Sequence, residues 1–298
     1  MGHNNIRAIS WDSDFKDFIH NSSSLGHVRV HTVFKKVVNI VDDKDRIYTI
    51  SNIYTDNAPS SLKVDFKGTF KDIILNYDRI KISKEAIIIG NIRINLHETK
   101  LWLPYIKKIN DDSRININKS LAFFNEYLVS MGQEGGCKSY YLKHFLNITV
   151  DKLNPIEEQI EIKLGNFYRG LLSNSLSEDS IKDLIGLGIG LTPSGDDFLT
   201  GFLASIKRSE KEEDLHKKIG TWILPLLAST TDISGAMLRA GIEGKYREGI
   251  HNFINSFLQD DKDVFIRSFD EILKLGSSSG TDLSIGIALG FHYINTHE

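Results

Sequence analysis

The sequence lacks the features that define several classes of protein. Its 298 residues include a single cysteine, Cys137, so no intrachain disulfide can form, as is usual in a reducing compartment. The longest apolar runs, such as residues 222–228, fall far short of the roughly 18–20 residues that a membrane-spanning helix requires. The first residues have no basic stretch followed by an apolar one, so no signal peptide is expected. These absences predict a cytoplasmic protein with no membrane partner.

The chain also lacks an excess of either charge. Lys and Arg number 36 against 39 Asp and Glu, and the formal net charge is −3. A protein that binds nucleic acid through its phosphates carries a basic excess, so no nucleic-acid partner is expected. A hydrophobic content of 41% is ordinary for a globular protein, and the length corresponds to about two domains of roughly 150 residues.

The two halves of the chain differ in their apolar periodicity. The first half has short alternating or β-branched runs at residues 28–34, 46–50, 62–66, 86–89 and 92–96, which predict an antiparallel sheet or barrel, with a short helix near residues 12–20 before it. After about residue 100 the apolar spacing becomes helical. Helices are expected over residues 121–131, 139–146, 155–172, 197–207, 214–227, 233–240, 246–258, 264–275 and 282–294. The predicted fold is α+β, with a β-rich domain over residues 1–105 and a larger helical domain over residues 106–298.

The densest signal is a glycine-rich run at residues 186–201, Gly-Leu-Gly-Ile-Gly-Leu-Thr-Pro-Ser-Gly-Asp-Asp-Phe-Leu-Thr-Gly. Gly186, Gly188 and Gly190 alternate, which indicates a backbone with positive φ or one that approaches another group closely. An apolar helix is expected to follow. The run is not a P-loop, because no Gly-Lys-Ser/Thr follows the glycines, and it does not match the Rossmann fingerprint.

Part of this run recurs near the end of the chain. Residues 194–201 align with residues 279–286 as Ser-Gly-x-Asp-apolar-x-x-Gly at a constant offset of 85 residues. One interpretation is purely structural. Ser194 with Asp197, and Ser279 with Asp282, each fit a capping box in which the aspartates act as caps, and the glycines permit close helix packing.

The other interpretation is an anion site where the two helix N-termini meet, because free N–H groups and the helix dipole attract anions. Asp196, which capping does not use, would then be a base or the ligand of a Mg²⁺ ion, the one cofactor considered. Thr281 replaces Asp196 in the second copy, so the two loops are expected to differ in role. Candidate ligand-binding residues are Gly188, Gly190, Thr192, Gly195, Ser279, Gly280 and Thr281.

Two further candidates lie outside the repeat. In residues 230–246, Thr231 is expected to cap a helix that ends at Gly244, and the alternative is that Thr231, Ser234 and Arg239 line the same cleft. In the first half, strand alternation places His31 opposite Val30, either as a surface histidine or as a site residue between the domains. A metal shared with His27 is not expected, because four residues of strand span about 13 Å.

Taken together, residues 186–201, 230–244 and 275–290, with Val30-His-Thr-Val-Phe34 and Asn39, resemble a bacterial family long of unknown function. This family includes the third subunit associated with oxamate carbamoyltransferase, in anaerobic allantoin catabolism, a route of purine degradation. The resemblance covers most of the chain in order, and the Gly-Leu-Gly-x-Gly-Leu-Thr-Pro-Ser-Gly-Asp-Asp run is highly specific. It departs at Ile189, where the family usually has proline.

The resemblance implies a protein that acts with partner subunits in the phosphorolytic cleavage of oxalurate to oxamate and carbamoyl phosphate, or the reverse. Such a reaction needs an anion site and donors that stabilise charge on the carbonyl oxygen. Ser194, Gly195, Ser279 and Gly280 would supply donors, and Asp196 would position a metal or the ureido nitrogen. The catalytic candidates are therefore Asp196, Ser194 and His31.

Three hypotheses remain open at this point. The favoured one is a carbamoyltransferase subunit that binds a small anionic substrate such as carbamoyl phosphate, oxamate or phosphate. The second is a non-catalytic anion- or nucleotide-binding scaffold subunit. The third is a Mg²⁺-dependent hydrolase of a phosphorylated substrate.

Overall fold

A computed structural model describes residues 4–21, 27–74, 80–108 and 114–296, apart from the side chains of residues 114–116. The chain divides into two compact units, Met1–Pro104 and Tyr105–Glu298. The first holds a barrel-like sheet and the second is mostly helical, which confirms the predicted α+β class. No helix in the described ranges is both long and apolar enough to cross a bilayer.

The sheet of the first unit is organised around its first strand. The strands are β1 (Asn4–Trp11), β2 (Arg29–Val33), β3 (Val37–Val41), β4 (Ile47–Ser51), β5 (Ser61–Val64), β6 (Ile80–Ile82), β7 (Ala86–Ile89), β8 (Ile92–Asn95) and β9 (Lys100–Leu101). Their order is β2-β3-β4-β5-β1-β8-β7-β6, and β9 also pairs with β1. The start of β1 pairs parallel with β8, and its end pairs antiparallel with β5. One strand therefore joins the two halves of the sheet.

Two short helices accompany the sheet, α1 (Ser13–His20) and α2 (Phe70–Ile73). Asp12 caps α1, and its fully buried carboxylate accepts hydrogen bonds from the backbone N–H groups of Phe15, Ser60 and Ser61 at 3.0, 2.9 and 3.2 Å. Burial raises the pKa of Asp12 above its usual value, although the hydrogen bonds from the backbone of Phe15 and Ser60 act to lower it. Asp12 thus joins the start of α1 to the start of β5.

The alternation expected for the strand at residues 28–34 is interrupted. Val30 pairs with Ile40 and Thr32 pairs with Asn39, so His31 lies at an irregularity of the ladder. Val33, expected opposite Val30, packs with Val30 against the same core. The strict two-residue alternation was wrong here, because an extra residue in one strand shifts the side chains that follow it to the other face.

The second unit contains ten α-helices among its described residues. They are α3 (Arg114–Met131), α4 (Lys138–Phe145), α5 (Pro155–Leu172), α6 (Glu178–Lys182), α7 (Ser194–Ile206), α8 (Glu213–Ile223), α9 (Asp232–Ile242), α10 (Glu248–Ser256), α11 (Lys262–Leu273) and α12 (Ser279–Thr296), and a 3-10 helix covers Leu224–Ser229. The predicted bounds of α5 agree with the structure, because Asn154 and Glu157 form a capping box beside a proline at the first turn.

The central feature of this unit is the pair formed by α7 and α12, the two helices that carry the repeat. Contacts join their starts through Thr192 and Ser279, and their far ends bring Ser205 against Gly290. The helices therefore run side by side in the same direction. Every residue of α7 is buried, as are 14 of the 18 residues of α12, so the two helices lie in the centre of the core of the second unit.

Glycines allow the two helix backbones to touch. A Cβ atom on Gly201 would collide with the carbonyl oxygen of Leu283, and one on Gly286 would collide with that of Phe198. The 85-residue offset of the repeat relates Gly201 to Gly286 and Phe198 to Leu283. The two contacts are thus equivalent, which gives the helix pair a local two-fold axis.

Candidate functional site

The loop that precedes α7 has the backbone that its alternating glycines predict. Gly186, Gly188 and Gly190 have φ values of +73°, +135° and +105°, a region that residues with a side chain rarely adopt. A Cβ on Gly186 would lie 2.9 Å from the carbonyl oxygen of Ser229, and one on Gly188 would collide with the backbone nitrogen of Ser194. A Cβ on Gly190 would meet nothing within 4 Å. Gly190 therefore serves conformation alone, whereas Gly186 and Gly188 serve packing as well.

The tip of this loop faces outward. Ile189 and Leu191 are 78% and 52% exposed. Within the described ranges, none of the backbone N–H groups of residues 188–192 donates a hydrogen bond to a protein acceptor. The loop consequently offers a run of free donors beside two exposed apolar side chains.

Asp196 holds the base of the loop. Its Oδ1 accepts a hydrogen bond from the Gly186 N–H at 2.9 Å, and its Oδ2 accepts from the hydroxyl of Ser234 at 2.7 Å and from that of Thr230. The side chain is fully buried. Asp196 therefore links the loop to the start of α9, and both of its carboxylate oxygens accept hydrogen bonds. We call Asp196 and its three donors, in Gly186, Thr230 and Ser234, the clamp. Thr230 is a member of this clamp that the sequence did not single out.

The expected capping boxes do not form. The helices begin at Ser194 and Ser279 themselves, so these serines are not N-caps, and Pro193, which precedes α7, makes no side-chain cap. The N–H of Gly195 donates to the carbonyl oxygen of Leu187 at 2.9 Å. The first turn of α7 is thus satisfied by the backbone of the preceding loop, and Asp197 does not cap its own helix.

The two helix N-termini do meet, as the anion interpretation requires. The hydroxyls of Thr192 and Ser279 lie 2.8 Å apart. The Asp282 carboxylate interacts with the Ser194 hydroxyl, and Asp197 with those of Ser279 and Thr192. The place where an external anion was expected therefore contains the protein's own carboxyl groups.

Other residues predicted to bind ligand are engaged in packing or in hydrogen bonds within the chain. A Cβ on Gly195 or Gly280 would collide with the carbonyl oxygen of Leu184 or Ile272, respectively. The hydroxyl of Thr281 accepts a hydrogen bond from the backbone N–H of Gln133 at 2.9 Å. These residues fix the start of each helix.

The turn before α4 also contributes to the junction of the two helix starts. The backbone N–H of Cys137 donates to Asp282 Oδ1 at 2.6 Å, and a Cβ on Gly136 would collide with the same carboxylate. No site role was predicted for Cys137. A signal was present in Gly135-Gly136, whose φ values are +95° and +56°.

Two candidates lie away from the junction. Arg239 is exposed and belongs to the last turn of α9, about 12 Å along the helix from Thr231 at a rise of 1.5 Å per residue. Ser234, by contrast, is fully buried against Asp196, so it does not line one open cleft with the exposed Arg239. Thr231 caps α9 through the N–H of Ser234 at 3.1 Å, as expected, and also donates to the carbonyl oxygen of Leu191. His31 lies half-buried on β2, in the other unit.

The second unit also has an open cleft of about 480 Å³ between α4 and α5. It is lined by Tyr140, His144, Glu158, Glu161, Ile162, Gly165 and Arg169. None of the sequence-predicted site residues lines it. Among the described residues, no group of three or more His, Cys, Asp or Glu side chains is arranged to hold a metal ion.

Comparison with known proteins places both units in one family. The family described as oxamate carbamoyltransferase subunit AllH matches residues 184–291, which include the glycine loop, α7, α9 and α12. The AllH family N-terminal domain matches residues 7–101, the barrel-like sheet. No solved structure matches the chain. Because the two matches together cover most of the sequence, the chain belongs to the AllH family of oxamate carbamoyltransferase subunits.

Proposed function

We propose that this chain is a subunit of a carbamoyl-transferring assembly, and that its loop at residues 186–193 supplies the anion-binding donors of a site completed by a partner subunit. The reaction would be the phosphorolysis of oxalurate or its reverse. A phosphate oxygen attacks the ureido carbonyl carbon, the bond from that carbon to the oxamate nitrogen breaks, and the nitrogen takes up a proton. The products are carbamoyl phosphate and oxamate.

The observation that carries this proposal is the outward position of the loop. Backbone N–H groups in a left-handed or turn conformation attract anions without a charged side chain, and residues 188–192 leave such groups without a protein acceptor in the described structure. Ile189 and Leu191 beside them are exposed, and apolar side chains of this kind favour burial against another surface. A partner subunit covering the loop would exclude water from the phosphate and strengthen every hydrogen bond to it.

Asp196 has a positioning role in this proposal. Its three hydrogen bonds fix the start of the loop against Thr230 and Ser234. The backbone N–H groups of residues 188–192 therefore keep a fixed arrangement before the ligand binds. Preorganised donors stabilise charge without a reorganisation cost at the moment of reaction. The direct roles assigned to Ser194, Ser279 and Gly280 are not retained, because these residues are engaged at the junction of α7 and α12.

The second candidate function, a non-catalytic scaffold subunit, is favoured by one observation. Two of the three side chains proposed as catalytic, Asp196 and Ser194, are engaged in hydrogen bonds inside the chain. In that case the loop would still bind phosphate, but the reaction rate of the assembly would not depend on it. The proposed Mg²⁺-dependent hydrolase gains no support, since Asp196 already accepts three hydrogen bonds.

Gly190→Ala tests the loop directly. Its Cβ would have free space, yet φ is +105°, so we expect the loop to change conformation at a cost of about 1–2 kcal/mol. In the assembled enzyme the KM for phosphate should rise at least tenfold, while the melting temperature of the chain should fall by only a few degrees. Steady-state rates at varied phosphate concentration measure this.

The chain contains a matched control for this variant. Gly135 has a φ of +95°, and a Cβ there would also meet nothing within 4 Å, but it lies in the turn before α4. Gly135→Ala should leave the KM for phosphate unchanged. An equal effect of both variants would contradict a specific role for the loop, and a wild-type KM in Gly190→Ala would refute the anion site.

A further inference from the structure

Each helix of the α7–α12 pair has an aspartate that interacts with the serine at the start of the other helix, and the local two-fold axis relates the two interactions. Asp197 of α7 interacts with Ser279 at the start of α12, and Asp282 of α12 interacts with Ser194 at the start of α7. The 85-residue offset relates Asp197 to Asp282 and Ser194 to Ser279. The two aspartates are thus equivalent members of one symmetric cluster.

Each of these carboxyl groups keeps one oxygen atom without a partner. Asp197 and Asp282 are 2% and 0% exposed. In the described part of the chain, neither Asp197 Oδ2 nor Asp282 Oδ2 has a hydrogen-bond partner. A buried charged oxygen without a donor is costly, and groups so placed lose their charge or bind a counter-charge. Two such atoms in one symmetric cluster point to a single shared occupant.

The electrostatics of the helix ends favour one proton as that occupant. The N-terminus of a helix carries about half a positive charge, and the starts of α7 and α12 meet at this point. Two carboxylates would leave about one excess negative charge beside these two helix ends. A pair that holds one proton carries a single negative charge, which the two helix ends offset.

We propose that Asp197 and Asp282 share one proton in a carboxyl–carboxylate hydrogen bond between their Oδ2 atoms, which joins α7 to α12 and makes the stability of the helical unit depend on pH. One Oδ2 carries the proton and donates it to the other. This inference does not depend on the proposed function. It gives the symmetric serines and aspartates of the repeat a role in the pH-dependent stability of the helical unit.

Burial is the largest influence on the pKa of both aspartates, and it outweighs the hydrogen bonds that lower each pKa. Burial raises the pKa of Asp197 well above its usual range, and the carboxylates of Asp282 and Asp196 raise it further. Burial raises the pKa of Asp282 to about 6, against the hydrogen bonds of Cys137 and Ser194. Cys137 is itself a buried thiol whose pKa burial raises. Lys138, the first residue of α4, directs its ammonium to Gly132 and Glu134 instead.

The sign of the pH dependence follows from these shifts. The folded state holds the proton more tightly than the unfolded state, where an aspartate has a pKa near 3.8. The stabilisation is therefore fully present below pH 3.8 and is lost as the pH rises through about 6 and above. The melting temperature of the wild-type chain should fall between pH 5 and pH 8.

Asp197→Asn tests the proposal, because an asparagine amide donates a hydrogen bond to Asp282 at every pH. We expect its melting temperature to fall about 5 °C less than that of the wild type between pH 5 and pH 8. Asp282→Asn should behave in the same way by symmetry. Asp196→Asn removes only one of the charges that raise the pKa of Asp197, so it should reduce the pH dependence less than either of these variants. Equal pH slopes in all four proteins would overturn the proposal.

Infrared difference spectroscopy provides a readout that does not depend on stability. At pH 7 the wild type should show the carbonyl band of a protonated carboxylic acid, and both asparagine variants should lose it. Should the variants fail to fold, the pH titration of this band in the wild type decides alone, since its absence at pH 7 refutes the shared proton. Thermal stabilisation by Mg²⁺, lost on chelation and in both variants, would instead show that a cation occupies the cluster.

Discussion

Gly201→Ala is expected to destabilise the helical unit by about 3 kcal/mol or more, the upper end of the range for overpacked cores. The added methyl group would collide with the backbone carbonyl oxygen of Leu283 on α12. A backbone carbonyl group in a helix cannot rotate away as a side chain can. The two helices must therefore separate along a fully buried contact. Urea unfolding followed by circular dichroism measures this loss.

The symmetry of the helix pair adds a second expectation. Gly286→Ala should cost a similar amount, since its methyl group would collide with the carbonyl oxygen of Phe198. The double variant should lose less than the total of the two single losses, because one separation of the helices relieves both collisions.

Gly165 provides the control for these variants. It lies inside α5, where a Cβ would come no closer than 3.9 Å to the side chains of Arg169 and Tyr140. Gly165→Ala should be neutral or stabilise the protein by up to about 1 kcal/mol, as alanine does inside a helix. A loss in Gly165→Ala equal to that in Gly201→Ala would contradict the close-packing account.

The second large effect is expected at Asp196, in the rate of carbamoyl transfer by the assembly. Asp196→Ala removes the acceptor for the Gly186 N–H and for the hydroxyls of Thr230 and Ser234. Each buried donor left without a partner costs about 1–3 kcal/mol, so the loop should lose its fixed conformation. We expect kcat/KM for phosphate to fall by about 100-fold, which corresponds to about 2.7 kcal/mol.

Asp196→Asn distinguishes a positioning role of Asp196 in the clamp from a role as a catalytic base or a metal ligand. The asparagine oxygen still accepts from Gly186, and the amide N–H groups donate to the hydroxyl oxygens of Thr230 and Ser234, which rotate to receive them. The clamp predicts a rate within about threefold of the wild type. Loss of a general base instead costs about 10²- to 10⁴-fold. A rate for Asp196→Asn as low as that of Asp196→Ala would therefore refute the positioning role.

The fold was predictable where local pattern determines local structure. Pro155–Leu172 carries its own capping box and its own helical period, so its bounds follow from the sequence. The positive φ values of Gly186, Gly188 and Gly190 also follow from their alternation. By contrast, the two-residue period cannot reveal the irregularity at His31, since that depends on pairing with a separate strand.

The candidate site was less predictable, because its contacts join residues far apart in the chain. A serine three residues before an aspartate indicates a cap within one helix, but Ser194 interacts with Asp282 and Ser279 with Asp197. The repeat is visible in the sequence, but the sequence does not show that each serine interacts with the aspartate of the other helix. Likewise, the sequence places Ser234 and Arg239 on one helix, but it does not show that Ser234 is buried against Asp196 while Arg239 is exposed.

Reconstitution of the assembly tests whether carbamoyl transfer requires this chain and its glycine loop. The other oxamate carbamoyltransferase subunits from the same genome would be purified with and without this chain, and carbamoyl phosphate formation from oxalurate and phosphate would be measured. Turnover should require this chain, and adding it as Gly190→Ala should raise the KM for phosphate at least tenfold. Full turnover without this chain, or an unchanged KM with the variant, would show that its loop does not supply the phosphate site.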